Sequence, residues 1–315
     1  MTILGKTAAG LFWMSRYLER SETGARLVEV GQRMALTRSS SDDEWASVLN
    51  TAGVGEGFQA KYGEAVTRDL AIDWMLRDRD NPSSVLASIE AARTNARVVR
   101  TALTREVWEA VNESFMTLKA ALARRVADRD LSEVLALIRA RIAFVRGAMN
   151  GTMMRDDRYN FCRLGTFVER ADNTARILDV KYYVLLPSAS AVGSSLDTVQ
   201  WETILRSVSA EGSYRHTMGQ RVRPRLVAQF LIFDQRMPRS LMFCAEMLCE
   251  NLDHLAADYG LRGPAHDIAD ALRQRLKCAS VDSIFDEGLH DFLQDFQTRV
   301  AALGQQTEMD YRFSL

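Results

Sequence analysis

The segment Tyr17–Val30 occurs a second time as Phe167–Val180, displaced by 150 positions without a gap. Glu19, Arg20, Ala25, Arg26 and Val30 recur as Glu169, Arg170, Ala175, Arg176 and Val180, and most other positions exchange like for like. A repeat of domain size points to two similar halves within one chain and excludes a solenoid of short units. It preserves charges as well as apolar residues, so the charges are expected to have a role in architecture, docking or chemistry.

A second motif is shared at a slightly larger offset. Trp74–Asp78 followed by Asn81, Pro82, Ser83 and Ser84 has a counterpart in Phe230–Asp234 followed by Met237, Pro238, Arg239 and Ser240. Asp ends one helical region, Pro suits the first positions of the next, and Ser or Asn caps free N–H groups. Asn81, Ser84, Arg239 and Ser240 are therefore the expected turn and cap residues. The expected organisation is a first repeat over 1–150 and a second over 151–315, packed as one unit about an approximate twofold axis.

The fold class predicted is all-α. Prolines are only five, and long stretches carry helix formers at a 3.6-residue period with little strand alternation. Long helices are expected over Ala9–Leu36 and Asp157–Leu186, with shorter ones between and after them. Gly53–Gly57 reads as a flexible turn, Gly151-Thr152 as a helix stop followed by an Asp156 or Asp157 cap, Ser188–Ser195 as a linker or mobile loop, and Gln305–Leu315 as a tail.

On a helical wheel of about 100° per residue, Trp13, Met14, Tyr17, Ser21, Gly24, Ala25 and Val28 share an apolar face. Glu19 and Arg26 stack opposite it, Glu22 and Arg26 form an i,i+4 pair, and Arg20 lies at the edge, one turn from Arg16. The second copy places Glu169 and Arg176 opposite the apolar face and pairs Asp172 with Arg176. Three roles fit this stripe: a solvated face of pairs worth about 0.3–0.5 kcal/mol each, a buried network fixing helix register, or a groove whose arginines hold a carboxylate or phosphate. The candidate groove residues are Glu19, Arg20, Arg26, Glu169, Arg170, Asp172 and Arg176.

Net charge is −1, so no global field draws the chain to nucleic acid or an anionic membrane. The N-terminus lacks the basic and apolar regions of a signal peptide, no run is long enough to span a bilayer, and Cys162, Cys244, Cys249 and Cys278 form no CxxC pair. A cytoplasmic protein with buried free thiols is the expectation. No phosphate loop, nucleophile elbow or metal-ligand set is evident, and Glu246, Glu250 and His254 lack the Glu-x-x-His pairs of a di-metal bundle. Neither a cofactor nor a metal is expected.

The Glu-Arg helices, the stretches Gly151–Asp156, Phe161–Gly165 and Glu169–Arg176, and the Asn81–Ser84 and Pro238–Ser240 turns together resemble the alpha-E family across nearly the whole chain. Tyr159 and Thr166 stand where members often carry Trp and Arg. The resemblance implies association with circularly permuted ATP-grasp proteins, transglutaminase-like proteases and a proteasome-like peptidase, in a system that makes, modifies or processes peptides. Two expectations follow. One is a helical partner of an ATP-grasp amide or peptide ligase, with Ser188–Ser195 and Tyr311–Leu315 as docking candidates. The other is a substrate-binding or catalytic subunit of an ATP-dependent amidoligase using the Glu/Arg groove.

Overall fold

A computed structural model describes residues 3–35, 42–185 and 195–314 of the chain, and among the described residues it is helical with no strand. The first helices are α1 (Gly5–Ala35), α2 (Asp42–Thr51), α3 (Gly55–Tyr62), α4 (Arg68–Leu76) and α5 (Val85–Val98). They are followed by α6 (Arg105–Ala121) and α7 (Asp128–Thr152). Then come α8 (Asp157–Leu185), α9 (Ser195–Ser207), α10 (Glu211–Met218), α11 (Pro224–Phe233) and α12 (Leu241–Tyr259). The chain closes with α13 (Pro264–Cys278), α14 (Val281–Glu287) and α15 (Leu289–Asp310).

The two Glu-Arg helices, α1 and α8, form the centre. The backbone N–H of Ile3 donates to Asp157 Oδ2 at 3.0 Å, and further along Asn173 Nδ2 donates to Thr23 Oγ1 at 2.6 Å. Contacts in the same order along both helices make them parallel neighbours. Gly165 permits their approach, because a Cβ there would lie 2.1 Å from the Phe12 carbonyl oxygen. α5 and α7 flank α1, while α12 and α15 flank α8. α2 also packs on α8, and α9 also packs on α1. Every residue from Ser21 to Val28 is consequently buried. The polar residues among them must find partners inside the protein.

The shared turn works as its residues suggest. Ser84 Oγ accepts from Ala87 N at 3.2 Å and Ser240 Oγ from Phe243 N at 3.0 Å, capping α5 and α12. Asn81 Oδ1 accepts from Ser83 N, and its amide donates to the Trp74 carbonyl. Asp78 and Asp234 each accept the N–H two residues on, closing the loop before the proline.

Several local expectations are corrected. Gly55-Glu-Gly57 opens helix α3 instead of a flexible turn, and Gly57 lies against Trp74, where a Cβ would meet the indole at 3.2 Å. The expected stop at Gly151-Thr152 does hold: α7 ends at Thr152, with Met153 as its C-cap. Asp156 does cap the next helix, accepting from Arg158 N at 3.1 Å. The helical stretch that begins at Val281 breaks at Gly288, with φ of 110°, into α14 and α15. α15 continues to Asp310, and the tail folds onto the core: Phe313 is buried, 5.4 Å from the Phe12 ring, and Tyr311 stacks edge-on to Phe161 at 5.0 Å. Residues 311–314 are thus part of the packed end of the bundle. Except for Ser195, which begins α9, the segment Ser188–Ser195 lies outside the described residues.

Candidate functional site

The charged stripe of α1 faces α8 and its neighbours. Glu19 is 1% exposed, and both its oxygens are occupied. Arg170 forks onto it through Nε at 2.9 Å and Nη2 at 3.0 Å, Arg239 donates at 2.9 Å and Arg146 at 2.8 Å. Glu22, also 1% exposed, accepts from Arg26 at 2.6 Å, Arg239 at 3.0 Å and Arg146 at 2.5 Å. Arg26 is completed by the Ser207 carbonyl and Ser209 Oγ, and Arg170 by the Pro238 carbonyl. Four guanidinium groups thus surround two buried carboxylates; three of the four are buried and Arg146 keeps 26% of its side-chain surface.

Burial alone would raise the Glu19 carboxyl. Arg170, Arg239 and Arg146 overcome that and hold it well below the usual range. For Glu22 burial pushes up and Arg239 pulls down, with Glu19 opposing; the result is about 2. The surplus of positive charge appears on the other side of the balance: burial brings Arg239 down to about 10 despite Glu19 and Glu22. A general base needs a free lone pair within reach of the proton it takes. Glu19 and Glu22 have theirs committed to arginines.

The second copy is built differently. Glu169 accepts from Arg20 Nε at 2.6 Å and Nη2 at 3.0 Å, and from Arg16 Nε at 2.9 Å. The Glu of each motif therefore binds the Arg of the other: Glu19 with Arg170, Glu169 with Arg20. Arg16 lies over Trp13 at 4.6 Å and Arg20 over Tyr17 at 5.4 Å, so aromatic faces hold both guanidinium groups in place. Asp172 Oδ2 accepts from Arg176 Nε at 2.7 Å, the expected i,i+4 pair. These side chains border a cleft of about 220 Å³, lined by Arg20, Thr23, Glu169, Asp172, Asn173 and Arg176 with the Ala52–Val54 loop. Burial raises the Asp172 carboxyl despite the opposing Arg176, whereas Arg20 and Arg16 outweigh burial and lower Glu169.

The seven groove candidates therefore divide. Glu19, Arg26 and Arg170 belong to the buried cluster. Arg20, Glu169, Asp172 and Arg176 border the cleft. Of the turn candidates, Asn81, Ser84 and Ser240 act as local caps, but Arg239 turns inward to Glu19 and Glu22. The stripe opposite the apolar face is buried too, because α1 is enclosed on every side at this level, and of the three roles the buried network is the one Glu19 and Arg26 take. Arg146 is a member that sequence reasoning did not find, since its α7 position carries no local mark of a partner 124 residues away. Arg16 was marked only by lying one turn before Arg20.

Among the described residues no group of three or more His, Cys, Asp or Glu side chains could hold a metal ion, and no helix is long and apolar enough to cross a membrane. Cys162 and Cys244 are buried, which pushes both thiols up to about 12, and neither is poised as a nucleophile.

Proteins named only as uncharacterized, from Mycobacterium bovis and Mycobacterium tuberculosis, are 24% identical over 290 residues, covering 86% of this chain and 32% of theirs. The chain thus spans about a third of the length of these curated relatives. No solved structure matches it. The family model alpha-E, described as a predicted alpha-helical domain with a conserved ER motif, matches residues 3–311, a span that holds the Glu-Arg pairs Glu19-Arg20 and Glu169-Arg170. The chain belongs to the alpha-E family.

Proposed function

We propose that the protein is a helical partner subunit of an ATP-grasp-type amide or peptide ligase, built from two halves, 1–150 and 151–315, about an approximate twofold axis along α1 and α8. The observation that carries the partner reading is the saturation of Glu19 and Glu22. The most distinctive charges of the family motif are spent within the protein, as in a scaffold whose register must be fixed. The reciprocal Glu19–Arg170 and Glu169–Arg20 pairs support the two-half arrangement. The length of the relatives supports a unit that works beside further protein. The kind of partner comes from the family resemblance: a circularly permuted ATP-grasp protein first, with a transglutaminase-like protease or proteasome-like peptidase in the same system. Co-expression with the ATP-grasp protein tests it. A stable complex on size-exclusion chromatography is expected, and separate elution at micromolar concentration sinks the proposal.

The cleft beside Glu169 favours a second reading, a substrate-binding or catalytic subunit of a peptide-modifying amidoligase. Asp172 keeps 24% of its side-chain surface and has its carboxyl raised by burial, which suits a group that meets substrate. Arg20→Ala discriminates. Loss of amide formation by the assembled system at unchanged melting temperature supports the second reading, and full activity rejects it.

A further inference from the structure

Arg176 borders a second cleft on its other flank. A pocket of about 230 Å³ lies where the end of α2 meets α8 and α15, lined by Asn50, Thr51, Arg176, Asp179, Gln294 and Gln297. Every one of these side chains is polar. Asn50 and Gln294 are exposed and form the rim. Thr51, Asp179 and Gln297 are 6%, 4% and 9% exposed and form the floor.

Two floor groups have no hydrogen-bond partner among the described residues: Thr51 Oγ1 and Gln297 Nε2. Burying a polar group without a hydrogen bond is unfavourable, and folded proteins rarely leave one so. Two such groups in one pocket point to an occupant. Their neighbours are committed. Asp179 accepts from His290 Nδ1 at 2.7 Å and from Gln294 Nε2 at 2.9 Å. Arg176 gives Nε to Asp172 and Nη1 to the Thr51 carbonyl at 3.4 Å, which leaves Nη2 unspent among the described residues.

The unspent groups are donors: a guanidinium N–H, an amide N–H and a hydroxyl. That set matches a carboxylate. Asp172 and Asp179 flank the single guanidinium, so a dianion such as phosphate would be repelled. Asp179 retains lone pairs for an ammonium group. At about 230 Å³ the space falls below the roughly 300 Å³ of pockets for drug-sized ligands. We propose that this pocket binds a free α-amino acid, its carboxylate on Arg176, Gln297 and Thr51 and its ammonium group toward Asp179. The assignment goes beyond both functional readings above, since it requires neither a docked ligase nor chemistry in the neighbouring cleft.

Titration calorimetry on the full chain with L-alanine, L-aspartate, L-glutamate and L-lysine tests it, with N-acetyl-L-alanine and inorganic phosphate as competitors of altered charge. At least one amino acid should saturate with a dissociation constant of about 1 mM or tighter. The N-acetyl compound and phosphate should bind at least about tenfold more weakly. Gln297→Met and Thr51→Val should each weaken the amino acid by about tenfold at a melting temperature unchanged or raised, because each removes an unpartnered polar atom. No saturation by any of the four up to about 20 mM overturns the proposal. So does equal binding of the N-acetyl compound, tighter binding of phosphate, or full binding by both variants.

Discussion

The two copies of the Glu-Arg motif occupy unlike surroundings, and the contrast separates what the motif does from where it is exposed. Glu19 and Glu22 lie in a closed cluster with Arg26, Arg170 and Arg239, which keep 9% of their side-chain surface or less, and only Arg146 of that cluster keeps more, 26%. Glu169 and Asp172 border clefts, and their partners Arg16, Arg20 and Arg176 keep 18%, 25% and 33% of their side-chain surface. The same local sequence therefore yields a register lock in one place and an accessible polar edge in the other. The difference comes from the third layer: α7 and the α11–α12 turn send Arg146 and Arg239 over the first copy. No arginine from those elements covers the second.

The largest expected effect breaks the closed copy. Glu19→Ala leaves buried Arg170 without its carboxylate and takes one of two from buried Arg239 and part-buried Arg146, and loss of one partner of a buried ion pair costs about 3–5 kcal/mol. Glu169→Ala leaves Arg16 and Arg20 close enough to water to be rehydrated, with a smaller expected loss of about 2 kcal/mol. Urea unfolding of both variants measures the contrast. If Glu169→Ala destabilises as much as Glu19→Ala, the two copies are energetically alike and the distinction fails.

Acidification should sharpen the same contrast. Glu19, Glu22 and Glu169 have carboxyls lowered on folding, so their stabilisation is fully present above the ordinary glutamate range near 4.5. It is lost as pH falls through that range toward the folded value, about 2 for Glu22. The urea midpoint should fall between those values, and Glu22→Gln should flatten the fall while lowering stability at neutral pH. An unchanged slope in the variant would remove Glu22 from the acid response.

The helical class and the Ser84 and Ser240 caps were legible because each rests on local spacing. The allocation of the charges was not. A wheel sorts side chains by polarity and leaves the polar side to solvent, a groove or a buried network, but α1 is enclosed all round at this level, so polarity does not say which charge goes to which of these. Arg239 reads locally as a turn residue, and only the fold carries it to Glu19 and Glu22. Gly55 and Gly57 read as flexibility, yet Gly57 is small because Trp74 packs against it. Tyr311 and Phe313 followed a helix that sequence ended early, and only aromatic packing with Phe12 and Phe161 shows why they are there.

The two turns provide a smaller comparison. Ser84→Ala removes the α5 cap and should cost about 1 kcal/mol. Ser240→Ala should cost more, because its hydroxyl also donates to the Asp234 carbonyl and the turn carries Arg239 into the closed cluster. Equal losses in thermal or urea unfolding would show that the turn does not transmit to the cluster.

The smallest expected effect lies at the open copy and has the opposite sign. Burial raises the Asp172 carboxyl, so the charged form is less favourable in the folded chain than in the unfolded one. Its contribution favours folding at low pH and is withdrawn as pH rises through the ordinary aspartate range to the folded value. At neutral pH Asp172→Asn removes that cost while the amide oxygen still accepts from Arg176. The expected change is within about 0.5 kcal/mol, toward stability. The closed copy cannot behave this way, because neutralising Glu19 or Glu22 strips a carboxylate from Arg170 or Arg239, each of which keeps only 9% of its side-chain surface. A loss at Asp172→Asn comparable to that at Glu169→Ala would place Asp172 among the structural charges and take away the main physical reason for regarding its cleft as a place where a ligand is met.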